Sequence, residues 1–172
     1  MNLNSELGNL INLPSEKIPF KVMTNMRASG GSIAIVDFSK ADKAITNNSE
    51  SSSALLTALI NRGFTSIGNC DFTSEVTSGN DAKVQKAAQE LFSGSVTYLV
   101  YGTIKYVSVE KVAAGYKIIL KTDVKVRNVK LNRELLACNF ETESTAKSEW
   151  QALNNCRKNI AEQLADAIMF GM

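Results

Sequence analysis

The chain has 172 residues, 44% of them apolar and 21% charged, with 19 basic against 17 acidic side chains for a net charge of +2. That length supports one core in one domain, and so even a charge balance argues against a nucleic-acid surface or attraction to an anionic membrane. Histidine is absent, which removes the commonest general base and the commonest zinc ligand together. The cysteines, Cys70, Cys138 and Cys156, stand far apart and form no C-x-x-C pair, so a metal knuckle is not expected. They read best as buried free thiols; one disulfide plus one thiol is the alternative in an oxidising compartment. No apolar run reaches the roughly 18 residues of a membrane-spanning helix. The first residues, Met1–Glu6, show neither a basic n-region nor an apolar h-region, which leaves a cytoplasmic protein or one whose leader has been removed.

Leu7, Leu10 and Ile11 repeat at helical spacing after Asn4 and Ser5, and Pro14 ends that turn. Ile18, Phe20, Val22, Met23 and Met26 scatter through the next stretch, a short helix or an arm. Ala28-Ser29-Gly30-Gly31 is the clearest break in the chain. Residues 1–29 therefore read as an N-terminal arm and 30–172 as one α/β domain. Ser32–Phe38 has the composition of a buried strand. Lys40–Ser53 is a polar loop in which Asn47, Asn48 and Ser49 offer caps to the following helix. Leu55, Leu56, Leu59 and Ile60 give that helix its apolar face, and Arg62-Gly63 closes it. Phe64–Asn69 reads as a second short strand and Thr73–Asn80 as a second polar loop. Asp81 opens a helix whose apolar positions are Val84, Ala87, Ala88 and Leu91, and Gly94 ends it.

The stretch Val96–Ile104 is β-branched or aromatic at most positions and uncharged until Lys105. Such a run reads as a central strand covered on both faces, continuing to about Lys111. Gly102 in its middle calls for a bulge or a close backbone approach. Ala113-Ala114-Gly115 suits a hairpin turn. From Tyr116 onward the pattern alternates: Ile118, Leu120, Thr122, Val124 and Val126 on one face, Lys117, Lys121, Asp123, Lys125 and Arg127 on the other. That is a strand with one wet face. A turn at Asn128–Arg133 leads to a returning strand, Leu135–Thr145, with Leu136, Cys138 and Phe140 inward. A hairpin centred near Leu131 sets Glu141 beside Lys121. Glu149–Phe170 is the longest helical pattern, with Trp150, Leu153, Cys156, Ile160, Leu164, Ala167 and Ile168 as its apolar stripe. The order is α-β-α-β-α-β-β-β-α: an α/β (α+β sandwich) fold with a mixed sheet of about five strands and helices packed on it.

No catalytic constellation emerges. Gly30-Gly31 precedes a strand, whereas a phosphate-cradling loop must precede a helix to offer its amides; a linker is expected. Asp37 ends a buried strand, a common place for a catalytic or metal-binding group, but no second acid or histidine clusters with it in sequence. It is expected to bond backbone amides in an Asx-type turn. Serine and threonine abound without a histidine partner or a G-x-S-x-G setting. No catalytic, cofactor-binding or metal residue is assigned, and no cofactor is expected. The stripe Lys117, Lys121, Lys125, Arg127 could track a nucleic-acid backbone, yet no aromatic residues interleave with it and acidic neighbours are expected. A solvated sheet face is the simpler reading, with a nucleic-acid-binding module as the alternative function. The apolar residues of the arm, Leu7, Leu10, Ile11, Ile18, Phe20 and Met23, either pack on the domain or dock on another copy or partner.

Three segments in order, Ser32–Phe38, Thr97–Ile104, and the hairpin carrying Asn132-Arg133-Glu134-Leu135-Leu136 before the long helix, resemble a group of bacterial envelope proteins. These are the proteins around the curli-secretion lipoprotein CsgG, the penicillin-binding-protein activator LpoB and the N-terminal domain of TolB. The resemblance covers roughly Ser32 to Met169. It implies an α/β sandwich and non-enzymatic work in the periplasm, usually from an outer-membrane lipid anchor: activating a synthase, assembling a secretion or flagellar structure, or forming a ring. A protein partner in the envelope is implied, a second copy of the chain included. The chain shows no lipobox and lacks the longer amphipathic insertion before Val96 that some relatives use, so pore formation is not expected. The family offers no shared catalytic residues.

Overall fold

The structure is a computed structural model, and it describes residues 29–46 and 49–171. Among them run β1 (Gly31–Asp37), α1 (Glu50–Asn61), β2 (Ile67–Asn69), α2 (Thr73–Thr77), α3 (Asp81–Phe92), β3 (Tyr98–Val112), β4 (Gly115–Asn128), β5 (Arg133–Ala146) and α4 (Glu149–Phe170). One five-stranded sheet has the order β2-β1-β3-β4-β5. β1 is parallel to β2 and to β3, whereas β3, β4 and β5 form an antiparallel meander. The mixed sheet with helices packed on it is the expected α+β architecture. The expected first helix and the arm residues Leu7, Leu10, Ile11, Ile18, Phe20 and Met23 lie outside the described residues.

Strand periodicity divides the core in two. Ile33 and Ile35 of β1, with Val100 and Ile104 of β3, face one side, where α1 and α4 pack. Ala34 and Val36, with Leu99 and Tyr101, face the other, where Phe72, Val76, Val84 and Ala88 of the α2–α3 segment pack. β1 is buried at all seven positions, as a parallel strand covered on both faces must be. β4 and β5 keep helix cover on one face only, so Ile118, Leu120, Val124 and Val126 are buried while Lys121 and Asp123 alternate into solvent.

The caps follow local chemistry. The Ser49 side chain accepts from Ser52 N at the start of α1, Asn80 accepts from Ala82 N and Lys83 N at α3, and Ser148 accepts from Gln151 N at α4. Arg62 and Gly63 close α1, with Gly63 at φ +89.

Several local expectations need correction. The first polar loop stops at Ser49 and not Ser53, because Ser51 and Ser52 are buried in the first turn of α1. The second loop contains α2, which buries Val76. Leu91 is exposed, since α3 rests on the sheet through Val84, Gln85 and Ala88. Trp150 is 72% exposed. The stripe of α4 centres on Ala152, Cys156, Ile160, Leu164 and Ile168, and Trp150 lies about 200° around the helix from Ala152. Ala152 is fully buried at that turn. All three cysteines are free; Cys156 is buried, whereas Cys70 and Cys138 are only half-buried.

Gly102 has the close backbone approach its position demanded. It pairs with Val124 of β4, and a Cβ there would stand 2.1 Å from the Asp123 carbonyl oxygen and 2.6 Å from the Val124 Cα. Backbone cannot yield as a side chain can. Gly102→Ala is expected to part β3 from β4 and cost roughly 2 to 4 kcal/mol, read as a lowered urea midpoint; an unchanged midpoint contradicts the contact.

Candidate interaction surfaces

The buried polar centre of the molecule lies at the carboxyl end of β1. Asp37 is 3% exposed. Its carboxylate accepts from Ser49 Oγ at 3.1 Å, from Ser51 N at 3.1 Å and from Ser51 Oγ at 2.5 Å. Arg157 of α4 approaches it at 3.9 Å and also pairs with Glu50. Ser52 Oγ accepts from Ile35 N at 3.0 Å and donates to Ile35 O at 3.1 Å. The expected amide partner of Asp37 is present, but it is 14 residues away at the start of α1 and not in a local Asx turn. The carboxylate thus ties β1, α1 and α4 together. The serines of the first polar loop are its partners, which composition alone could not distinguish from solvated loop residues.

The two polar loops do meet. The end of the first and the start of the second flank a cleft of about 290 Å³ at the carboxyl ends of β1 and β2, lined by Thr46, Ser49, Ser53, Asn69, Asp71 and Thr73 among others. Clefts at this edge of a parallel sheet are frequent ligand positions. Here the inward hydroxyls are committed: Ser49 to Asp37 and Ser52 N, Thr73 Oγ1 to Asp71 at 2.7 Å.

Three of the four cations of the basic stripe are paired in place. Lys117 pairs with Glu143 at 2.8 Å. Lys125 pairs with Asp81 at 2.6 Å and Glu134 at 3.6 Å, and Arg127 lies 4.0 Å from Asp81. Lys121 is opposite Glu141 in the β4–β5 ladder, as the hairpin reading required. Burial would push the Asp81 carboxyl up, but the hydrogen bond and charge of Lys125 outweigh it and hold the group below its usual range. The same bond raises Lys125. A face of alternating sign offers a phosphate backbone no continuous positive track.

Besides the outer side of the three-residue β2, two longer stretches of strand edge lack a neighbouring strand among the described residues. β1 covers β3 only from Tyr98 to Ile104, so Lys105–Val112 is open on that side and carries a bulge between Tyr106 and Ser108. β5 ends the sheet along all 14 of its residues. No helix among the described residues is long and apolar enough to cross a membrane.

A family model described as the C-terminal domain of TP0693-like lipoproteins matches residues 30–169. The chain belongs to that family. Membership associates it with the bacterial envelope, periplasmic or at the outer membrane, and the family is one of lipoproteins and not of a named enzyme. The anticipated envelope-lipoprotein resemblance therefore stands at this coarser level. A PelC dodecamer from Paraburkholderia phytofirmans shares the fold at TM-score 0.56 and 11% identity, over 84% of this chain and 90% of that one. The hypothetical protein CT253 from Chlamydia trachomatis does so at TM-score 0.50 and 10% identity, over 83% and 98%. At such identities the likeness is one of fold alone. No curated protein matches the chain.

The described chemistry predicts two solution behaviours. Burial pushes the Cys156 thiol up to about 11, so maleimide at neutral pH should label Cys156 only after denaturation, while the half-buried Cys70 and Cys138 react first; prompt labelling of Cys156 in the folded protein contradicts this. For Asp81, a lowered folded value means stability that is full above its ordinary value of about 3.8 and lost as pH falls through the folded value. The carboxylate is partly exposed and screened, so the contribution is at most about 1 kcal/mol. Lys125→Met should flatten that acid-side slope in urea melts; an unaltered slope removes Asp81–Lys125 as its source.

Proposed function

We propose that this domain is a non-enzymatic binding and assembly module of the bacterial envelope, acting through protein–protein contacts as an accessory to secretion, flagellar assembly or cell-wall synthesis. The observation that carries the reading is the match of residues 30–169 to a lipoprotein domain. The sheet–helix body supports it: many of its charged groups pair with one another, leaving recognition to shape, exposed apolar side chains and strand edges. Kinship in mechanism to CsgG, LpoB and TolB is part of this proposal. So is self-association, by analogy with the dodecameric PelC. The arm residues Leu7, Leu10, Ile11, Ile18, Phe20 and Met23 supply a contact strip for the partner.

In-cell crosslinking of the envelope-targeted protein should capture a discrete partner or a homo-oligomeric ladder. Leu7→Asp with Leu10→Asp and Ile11→Asp is expected to reduce that capture roughly tenfold, the effect of losing about 1.4 kcal/mol of contact, without shifting the urea midpoint. Capture that is unchanged by the triple substitution sinks the role of the strip. A body that stays monomeric and uncrosslinked in the envelope sinks the assembly reading itself.

A further inference from the structure

A second cleft, of about 280 Å³, lies where the α2–α3 segment meets the sheet, with Val76, Asn80 and Asp81 on the helix side and Tyr101, Thr103 and Asp123 on the sheet side. It differs from the cleft at the β1–β2 ends in one respect. There, no lining side chain leaves a buried polar atom unpaired. Here Tyr101 is 3% exposed and its hydroxyl has no hydrogen-bond partner among the described residues. Burial raises this phenol above its ordinary value, with Asp81 adding to the rise and Arg127 and Lys125 opposing it. The tip of the ring therefore lies beside the first turn of α3. Asp81 is the acceptor at hand, but its carboxylate is bonded to Lys125 at 2.6 Å, and Tyr101 does not meet the geometry of a hydrogen bond to it. A buried hydroxyl left open in a native fold calls for a water or a ligand.

We propose that this cleft binds a small zwitterion of the amino-acid class with an apolar side chain. Its size falls just under the roughly 300 to 1,000 Å³ of pockets for drug-sized ligands, which suits a single amino acid and not a nucleotide or a long peptide. Its charge is balanced: Lys105 and Lys125 line it against Asp81 and Asp123, so neither a lone anion nor a lone cation is matched. The four groups are not equally engaged. Asp81 is held by Lys125, and Lys105 by Asp42 at 3.0 Å. Asp123 makes no ion pair among the described residues and is exposed, so it is the acid free to take an ammonium. Lys125 Nζ carries three N–H groups, and Asp81 at 2.6 Å and Glu134 at 3.6 Å take two at most. The third, together with the Tyr101 hydroxyl, receives a carboxylate.

The spacing agrees with that assignment. Tyr101 pairs with Lys125 and Thr103 with Asp123 in the β3–β4 ladder. Lys125 and Asp123 thus share one face of β4, about 7 Å apart along the strand, close enough for the carboxylate and ammonium on one α-carbon to reach both. Phe38, Val76 and Val84 line the rest of the cleft, and both valines are buried, which gives an aliphatic side chain its contact surface. The Phe38 ring already carries Lys105 Nζ at 4.1 Å from its centroid, so the ligand's ammonium is directed to Asp123 and not to the ring. The inference does not rest on the envelope or assembly reading, since a domain can hold a small ligand and assemble through other surfaces.

The test titrates L-leucine, and beside it L-valine, into the isotope-labelled full-length protein. Saturable shifts of the Tyr101, Thr103 and Asp123 amides are expected at millimolar concentration or below. Leucinamide lacks the carboxylate and isocaproate lacks the ammonium, and each should bind roughly tenfold or more weakly than leucine. Tyr101→Phe should weaken leucine by a similar factor while its urea midpoint stays unchanged or rises, because the free protein loses no hydrogen bond. Asp123→Asn, a change at an exposed position, should also weaken leucine with the midpoint retained. No saturable shift with either amino acid overturns the site. An analogue that binds as well as leucine overturns the zwitterion. Full affinity in Tyr101→Phe removes the hydroxyl from the site. A midpoint that drops in Tyr101→Phe, with no ligand present, means that Asp81 or a fixed water already satisfies the hydroxyl, and it overturns the premise by a route that needs no binding measurement.

Discussion

β3 is the strand on which both halves of the molecule depend. On one side it is parallel to β1, and on the other antiparallel to β4. It must satisfy two hydrogen-bond geometries at once while buried on both faces near Leu99, Val100 and Tyr101. The close passage of β4 across Gly102 allows this: without a Cβ at that point the two backbones approach, and the meander stays in register with the βαβ half. Val100 and Ile104 then serve the α1–α4 core and Leu99 and Tyr101 the α2–α3 core. Each fully buried aliphatic side chain contributes about 1.5 to 3 kcal/mol, so both cores share the consequences of any shift in this strand.

A second constraint is electrostatic. A carboxylate that is almost completely buried is costly unless its oxygens are occupied. Asp37 meets that condition with two serine hydroxyls, a backbone amide and Arg157. The partners come from the start of α1 and from the middle of α4, so the network ties both helices to the end of β1. At the opposite end of the helix layer, Arg62 bonds Asp166 and Glu162, both at 2.7 Å. Both ends of α1 are thus held to α4 by an arginine, with apolar contact between.

These two arrangements shape what the surface has left to offer. Lys117, Lys125 and Arg127 of the wet sheet face are bound to local acids, and the hydroxyls near the β1–β2 cleft are bound to the structure itself. Open backbone includes β5, the outer side of β2 and Lys105–Val112, with isolated apolar side chains such as Trp150 and Leu131. The bulge beside Val107 twists one open edge, a common protection against unwanted pairing. The β5 edge carries an irregularity of its own, where Val126 pairs with Leu136 and Arg127 with Glu134, and it bears the charged Arg133, Glu134, Glu141 and Glu143.

Period-2 and period-3.6 patterns dictated much of this protein. The bounds of α4, the two faces of β4, the Lys121–Glu141 register and the central place of β3 all follow from the order of apolar and polar residues, because each depends on neighbours a few positions away or on one hairpin turn. The glycine in β3 announced a close approach in the same way. The tertiary structure alone decided which serines are solvated and which surround Asp37, since that required α1 to be set against the end of β1. It also decided that Trp150 faces solvent. Trp150, Leu153 and Cys156 follow helical spacing as well as Ala152, Cys156 and Ile160 do, and only the packing of α4 on the sheet, which buries Ala152 and leaves Trp150 72% exposed, selects between the two stripes.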